Sequence, residues 1–160
     1  MPEKIFTIGH SNLTFMRFMA LIQAHNINHV IDIRSIPYSR YAPWSSKSRL
    51  PALLKPFKIK YTYYGHQLGG KKQTVDQITK QQSVTSQPVY DNAINNLLRL
   101  SKSDIITVFC AEGDPANCHR QHIIAQSLLN SGVEVAHILK DGTLKKAWRE
   151  DVAADQPELF

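Results

Sequence analysis

The chain has little cysteine: Cys110 and Cys118 are the only two among 160 residues. So few thiols exclude the small disulfide-stabilised class of secreted domains, and their single long spacing argues against a structural zinc site. No apolar run approaches the roughly 18 residues of a membrane span, and no basic, apolar and small-residue signal pattern opens the sequence. We therefore expect a cytoplasmic protein with free thiols and without a metal, a cofactor or a membrane partner.

Carboxylates are almost absent from one stretch of the chain. Between Arg34 and Lys80, ten Lys and Arg residues stand against Asp76 alone, within a formal net charge of +6. Aromatic residues alternate with these cations, so groups that attract phosphates neighbour rings that stack on bases. The pattern indicates a nucleotide or nucleic acid as partner, and a basic solvated face over packed aromatics is an equally good interpretation. The candidate surface residues are Tyr38, Tyr41, Trp44, Lys47, Arg49 and Lys55.

Short apolar runs alternate with segments of helical periodicity along one chain, 1–160, of single-domain length. This βαβ alternation predicts an α/β fold: a single mostly parallel sheet flanked by helices on both faces, three-layered and Rossmann-like. Residues 71–88, rich in Lys, Gln, Thr and Ser, are expected to form a mobile insertion. Strands are predicted at residues 4–8, 29–33, 59–63, 105–109 and 133–139, and helices at 14–24, 45–54, 89–100 and 121–129.

Polar motifs follow four of these strands where each strand ends. Residues 9–11, 32–34, 65–70 and 110–120 carry glycines, histidines, carboxylates and arginines in positions just past an apolar run. Because the carboxyl ends of parallel strands lie at one edge of a sheet, these motifs are expected to converge on a single rim. Ligands in open α/β sheets bind at that rim, so position and chemistry together predict a site.

The connection from Cys110 to Arg120 also carries Glu112, Cys118 and His119. A thiolate at Cys118 is expected to have a lowered pKa, because a helix N-terminus and the neighbouring cation stabilise its charge. Cys110 ends a strand and is expected to pack in the core. A structural fold does not need so many reactive side chains in one loop.

Three arginines, Arg34, Arg40 and Arg120, are predicted to form an anion clamp, since guanidinium groups match phosphate oxygens. A salt bridge from Arg34 to Asp32 or Glu112 is the alternative. The backbone amides beside Gly9, Ser11, Gly69 and Gly70 are candidates to contact the same anion, although Ser11 or Asn12 also suits an N-cap of the first helix.

The candidate catalytic groups are two carboxylates and two imidazoles, with the Cys118 thiol as a possible nucleophile. Asp32 and Glu112 are assigned general-base or nucleophilic roles, or they hold the arginines in place. His10 and His119 suit proton transfer at neutral pH, or they bond to backbone carbonyls. Both interpretations stay open at the level of sequence.

These motifs jointly resemble a known family. The strings are Thr7-Ile-Gly-His-Ser11, Asp32-Ile-Arg34 with Pro37 and Ser39-Arg40, Leu68-Gly-Gly70, and Cys110-Ala-Glu112 with Cys118-His-Arg120. In this order they are similar to the signature of the domain of unknown function 488 family, over nearly the whole chain. Residues 71–90 depart from the pattern. The resemblance implies a compact α/β domain without an established reaction, so it leaves the chemistry open.

Two functions are compatible with these features. The first is an enzyme, a hydrolase or transferase, acting on a phosphate-bearing nucleotide or nucleic acid, with the arginines holding phosphate and Glu112, Asp32 and His10 doing the chemistry. The second is a non-catalytic nucleic-acid-binding module that uses residues 34–72 as its contact surface. Carboxylates and imidazoles weaken anion binding unless they serve another purpose, which favours the enzyme. The oligomeric state is left open.

Overall fold

The computed structural model describes residues 3–69 and 86–150. Its centre is a six-stranded sheet in the order β3-β2-β4-β1-β5-β6, in which β6 runs antiparallel to β5 and the other pairs are parallel. The predicted mostly parallel α/β fold is confirmed. The strands are β1 (Lys4–Gly9), β2 (His29–Asp32), β3 (Lys60–Tyr63), β4 (Ile106–Cys110), β5 (Glu134–Ile138) and β6 (Leu144–Lys146).

Helices cover both faces of the sheet. On one face α1 and α2 pack with Phe6, Ile8 and Phe109, and on the other α4 and α5 pack with Ile5 and Val108. Each face therefore has its own apolar core, which is the physical reason for a three-layer arrangement. The helices are α1 (Phe15–Gln23), α2 (Leu50–Leu54), α3 (Gly65–Leu68), α4 (Ser86–Leu100), a π-helical turn (Arg120–Ala125) and α5 (Gln126–Asn130).

Helix α1 shows how local sequence sets one of these elements. Phe18, Met19 and Ile22 recur at helical spacing and are buried. The predicted cap at Ser11 or Asn12 is wrong: Thr14 caps the helix by accepting a hydrogen bond from the Arg17 backbone amide at 3.1 Å. Ser11 instead has φ 45°, a left-handed conformation that turns the chain before the helix begins.

Several elements differ from the sequence-based expectation. The predicted helix 45–54 is wrong in its first half, because α2 begins only at Leu50, and the short helix α3 was not predicted. Strand β6 was not predicted, because its exposed Leu-Lys-Lys sequence has no strand pattern and pairing with β5 alone makes it a strand. Of the predicted insertion 71–88, residues 86–88 are the first turn of α4, and the rest lies outside the described residues. No helix in the described ranges is long and apolar enough to cross a bilayer.

The connections place a crevice beside the end of β4. The chain leaves β1 and β2 towards the face covered by α1 and α2, but it leaves β4 towards the face covered by the π-helical turn and α5. Neighbouring strands whose connections leave on opposite faces open a gap at their carboxyl ends, where α/β proteins bind ligands. The fold thus positions a site between the turns after β1, β2 and β4.

Candidate functional site

An open hollow of about 290 Å³ lies at this crevice. Backbone hydrogen bonds join two of its walls: the amides of His10 and Ser11 donate to the carbonyls of Cys110 and Ala111 at 2.9 and 2.8 Å. The turns after β1 and β4 therefore form one continuous rim, as the strand-end motifs predicted. The lining residues are His10, Ser11 and Asn12 after β1, Ser39 and Tyr41 after β2, and Ala111 after β4.

His10 is the lining residue with the most distinctive environment. Its side chain is 2% exposed and packs against the rings of Phe109 and Trp44. The Nδ1 atom lies 2.9 Å from the Ser11 carbonyl oxygen, which can only accept, so Nδ1 carries the proton. The Nε2 atom is buried and has no hydrogen-bond partner among the described residues. His10 therefore lines the hollow with an unprotonated Nε2 atom that is buried and has no partner in the described ranges.

The electrostatics of His10 keep it neutral. Burial lowers its pKa, the hydrogen bond to Ser11 opposes that effect, the charge of Arg34 lowers the pKa further, and Asp32 opposes Arg34. The net shift is downward from the ordinary histidine value of 6.5. A histidine with a lowered pKa is an unprotonated imidazole at neutral pH, which is the form that accepts a proton.

Cations stand at the edge of the hollow. The Arg40 guanidinium lies 5.4 Å from the centroid of the Tyr41 ring, and Lys140 Nζ donates to Asn12 Oδ1 at 3.2 Å. Sequence reasoning did not assign Lys140, Asn12 or Ser39 to the site. Lys140 could have been identified from the sequence. It follows β5, and the segments that follow parallel strands lie at the same edge of the sheet as the four predicted motifs.

Arg34 does not belong to an open clamp. Its Nε and Nη2 atoms donate to the two Asp32 carboxylate oxygens at 2.9 and 2.8 Å, and its Nη1 atom donates to Ser45 Oγ at 2.9 Å. Asp32 is fully buried and also accepts from the Tyr61 hydroxyl. The salt bridge given as the alternative is what the structure contains, and Asp32 holds this arginine in place.

Arg120 lies on the opposite face of the sheet from Arg34. The Arg34 guanidinium stacks on Phe109 at 4.8 Å, whereas Arg120 Nη1 donates to Cys110 Sγ at 2.9 Å on the face that α4 and α5 cover. Adjacent residues of a strand point to opposite faces, and these two contacts are made by adjacent residues of β4. The predicted three-arginine clamp is therefore wrong: Arg34, Arg40 and Arg120 do not converge.

Close approaches of the chain require Gly9 and Gly69. A Cβ atom on Gly9 would lie 1.8 Å from the Glu112 carbonyl oxygen and 2.6 Å from Arg120 Nη1, so only glycine allows the β4 turn to approach β1. Gly69 likewise fits against the Gly65 carbonyl. Gly70, the second glycine of that predicted pair, lies outside the described residues.

The two cysteines form a buried thiol pair with Sγ atoms 3.2 Å apart. Burial alone raises the pKa of Cys110, but the hydrogen bond from Cys118 and the charge and hydrogen bond of Arg120 outweigh it and lower that pKa. The pKa of Cys118 is raised by its hydrogen bond to Cys110 and by burial. The predicted lowered pKa of Cys118 is wrong, because its partner Cys110 takes the charge nearer Arg120.

Glu112 and His119 are near the rim but do not line the hollow. The Glu112 carboxylate is exposed and accepts from the Asp114 backbone amide at 3.0 Å, so it stabilises the loop turn. His119 Nε2 donates to the Leu68 carbonyl at 3.0 Å, which ties the turn after β3 to the turn after β4. Burial lowers the pKa of His119.

The predicted nucleic-acid surface is largely exposed. Tyr38 and Tyr41 are each 68% accessible, and the side chains of Lys47, Arg49 and Lys55 face solvent. These three cations have no salt bridge to a carboxylate among the described residues. Trp44 is the exception. Its ring packs 4.9 Å from Phe18 and its Nε1 atom donates to the Leu13 carbonyl, so it seals the core instead of offering a stacking face.

Comparison with known proteins gives one match. The family model described as "Domain of unknown function DUF488" matches residues 14–127. The match spans α1 to α5 and includes the turns after β2 and β4. No curated protein and no solved structure matches the chain. On the strength of a match over well more than half its length, this chain belongs to the family of domain of unknown function DUF488.

Proposed function

We propose that this protein is an enzyme, a hydrolase or transferase, that acts on a phosphate-bearing nucleotide or nucleic acid bound in the hollow after β1. The observation that carries the proposal is the free Nε2 atom of His10, a buried base without a partner among the described residues. Unpartnered buried polar atoms are rare in native structures, because each costs about 1–3 kcal/mol. A proton-transfer role explains why the site retains one.

His10 has the properties of a general base. Its tautomer is set by the Ser11 carbonyl, its pKa is lowered, and it lines a cavity that opens to solvent. In the proposed reaction Nε2 takes the proton from a water or substrate hydroxyl as that oxygen attacks phosphorus or a sugar carbon, and the leaving group takes a proton from solvent. Asp32 and Arg34 are positioning residues, because they act through the environment of His10.

The nature of the substrate is argued from the walls of the hollow. Tyr41 offers an exposed ring for a base, and Arg40 and Lys140 place positive charge on two sides. Residues 35–69, which contribute Ser39 and Tyr41 to the hollow, contain Lys and Arg but no Asp or Glu, so this segment carries only positive charge. Such a field attracts phosphates and raises their local concentration.

The test is a panel of nucleoside phosphates, dinucleotides and single- and double-stranded DNA and RNA oligomers, with products identified by mass. Free phosphate and free base distinguish phosphoester from glycosidic cleavage. We expect His10→Gln to lower kcat by about 10²–10⁴ with the dissociation constant unchanged, since general-base catalysis contributes that much. The rate of the wild-type enzyme falls as pH drops through the lowered pKa of His10.

His25 provides a matched control. Its Nε2 atom is also buried without a partner in the described part of the chain, but its ring stacks on Phe6 at 5.2 Å and it does not line the hollow. His25→Gln should leave turnover unchanged. Full activity of His10→Gln, or equal losses in both variants, would overturn the proposal.

The binding module remains the second candidate because the Tyr38 and Tyr41 rings are exposed and the cations Lys47, Arg49 and Lys55 have no carboxylate partner within residues 3–69 and 86–150. Replacing Arg49 and Lys55 by Gln should weaken nucleic-acid binding and reduce the salt slope by about 2. If the panel gives binding with this salt dependence and no turnover with any substrate, the module is correct and the enzyme is not. Absence of both binding and turnover contradicts both functions.

A further inference from the structure

Arg120 is a buried cation with an unusual set of partners. It is 0% exposed, and no carboxylate forms a salt bridge with it in residues 3–69 and 86–150. Its Nη1 atom donates to Cys110 Sγ at 2.9 Å and to the Glu112 carbonyl at 2.8 Å, and Nη2 donates to the Gly113 carbonyl at 3.1 Å. Of these acceptors only the Cys110 sulfur can carry a negative charge.

A counter-charge is needed because an isolated ion is costly to bury. Deprotonation of Cys110 supplies this counter-charge, because its sulfur lies 2.9 Å from Arg120 Nη1. A cysteine thiol is only a weak acid in water, so the nearby cation is what favours the loss of its proton. The second sulfur completes the arrangement: Cys118 Sγ lies 3.2 Å from Cys110 Sγ, and once Cys110 is a thiolate only Cys118 has a hydrogen to donate. The pair is thus one nucleophilic thiolate beside one protonated thiol.

We propose that Cys110 and Cys118 form an oxidisable dithiol site that a small hydroperoxide converts to an intramolecular disulfide. A thiolate is the reactive form of cysteine, and a second thiol in contact with it resolves the first oxidation product. The S–S bond is about 2.05 Å long, so the two sulfurs need to move by only about 1 Å. The site does not depend on the proposed function of the hollow.

The chemistry balances in two steps. The Cys110 thiolate attacks one oxygen of hydrogen peroxide, the O–O bond breaks, and the products are a sulfenic acid and hydroxide, which takes a proton from solvent. The Cys118 sulfur then attacks the Cys110 sulfur, and its proton leaves with the displaced hydroxide as water. The two cysteines together lose two electrons, and one peroxide is reduced to two waters.

The test uses the reduced full-length chain under native conditions with a small excess of hydrogen peroxide. We expect loss of both titratable thiols, a mass decrease of two hydrogen atoms, and a peptide map that joins Cys110 to Cys118. Reduction with dithiothreitol should restore both thiols. Two thiols that persist in the native chain but react after unfolding would overturn the proposal, as would a product joined between chains.

Two matched variants separate the roles of the sulfurs. Cys118→Ser should halt the reaction at the Cys110 sulfenic acid, which a 1,3-diketone traps as an adduct. Cys110→Ser should lower the rate by about tenfold or more, because the Arg120 guanidinium donates to the side chain at position 110 and burial still raises the pKa of the remaining Cys118 thiol. Equal rates for the two variants contradict the assignment of the thiolate.

A measurement on the wild-type chain keeps the proposal falsifiable if either variant fails to fold. The rate of oxidation against pH should rise with a midpoint below that of free cysteine, because Arg120 stabilises the thiolate. A midpoint at or above that of free cysteine would overturn the role of Arg120 in the site.

Discussion

Arg34 and Arg120 are both buried at the same end of the sheet, on opposite faces, and they satisfy their charges in different ways. Arg34 has a carboxylate: two of its nitrogens bond to Asp32, and a third bonds to Ser45. Arg120 has the Cys110 sulfur and two backbone carbonyls. A carboxylate keeps its charge at neutral pH, whereas a thiolate loses its charge when it takes up a proton or is oxidised to a disulfide.

The two faces of the sheet therefore differ in how the charge of their buried arginine is balanced. On the Arg34 side the counter-charge is the buried Asp32 carboxylate, which is held by two hydrogen bonds and contributes to the electrostatic environment of His10. On the Arg120 side the charge balance depends on the state of a sulfur atom. The Arg34–Asp32 pair therefore suits a structural role. The Arg120–Cys110 pair suits a site whose charge changes with protonation or oxidation of the sulfur.

The largest expected effect is the loss of folding stability when the Arg34–Asp32 ion pair is broken. Arg34→Met leaves the fully buried Asp32 without its cation, and breaking a buried ion pair by removing one partner costs about 3–5 kcal/mol. Urea unfolding at pH 7 measures the loss. The double variant Arg34→Met with Asp32→Asn should recover part of it, because the stranded charge is then absent; a double variant less stable than Arg34→Met would contradict this account.

The next effect concerns the buried imidazole of His137. Burial, followed by Arg120 and Lys145, lowers the pKa of His137 to about 4. The unfolded chain binds a proton near pH 6.5 and the folded chain does so only near pH 4, so stability is lost as pH falls through this window, by up to about 3 kcal/mol. Urea unfolding between these pH values should show a shallower loss for His137→Gln.

His10 gives the internal comparison for that measurement. Asp32 opposes the effect of Arg34 on the pKa of His10, whereas no such carboxylate effect raises the pKa of His137. His10→Gln should therefore change the pH dependence of stability less than His137→Gln does. A larger change for His10→Gln would contradict this difference between the two histidines.

A smaller effect is expected for Arg120→Met. The Cys110 thiolate can take up a proton once the cation is gone, so the loss is mainly that of hydrogen bonds to two carbonyls, about 1–3 kcal/mol. Thermal unfolding measures this loss, and thiolate absorbance against pH should show the pKa of Cys110 rising. A loss as large as that of Arg34→Met would show that the two sides are equivalent.

The smallest effect concerns the third partner of Asp32. Tyr61→Phe removes a hydroxyl that donates to Asp32 Oδ2, while Arg34 continues to hold the carboxylate, so we expect a loss of about 1 kcal/mol in urea unfolding. Tyr63→Phe is the control on the same strand, since its hydroxyl donates to the Arg34 carbonyl at a half-exposed position. Its loss should be smaller, and the reverse order would contradict the importance of Asp32.

Much of the fold could be predicted because it depends on local patterns. The apolar runs at β1, β2, β4 and β5 fall within a residue or two of the predicted ones, since strands buried on both faces are continuously hydrophobic. Helix α4 extends three residues before its predicted start at Val89. Strand β6 escaped prediction because it exists only through its pairing with β5.

The site was predictable in position and only partly in detail. Parallel strands place their following turns on one edge, and the turns after β1, β2 and β4 do line a single hollow. Which side chains face each other across that edge was not predictable. Phe109 and Cys110 point to opposite faces of β4, and this alternation separates Arg34 from Arg120.

The sequence by itself determined the family, the alternation of strands and helices, and the presence of reactive groups at strand ends, because composition and periodicity are local properties of the chain. Only the tertiary structure decided which partner each charge has. The sulfur that faces Arg120, the carboxylate that faces Arg34 and the nitrogen of His10 that faces no partner among the described residues depend on contacts between distant segments. Those contacts are set by strand order and by the face on which each connection leaves the sheet.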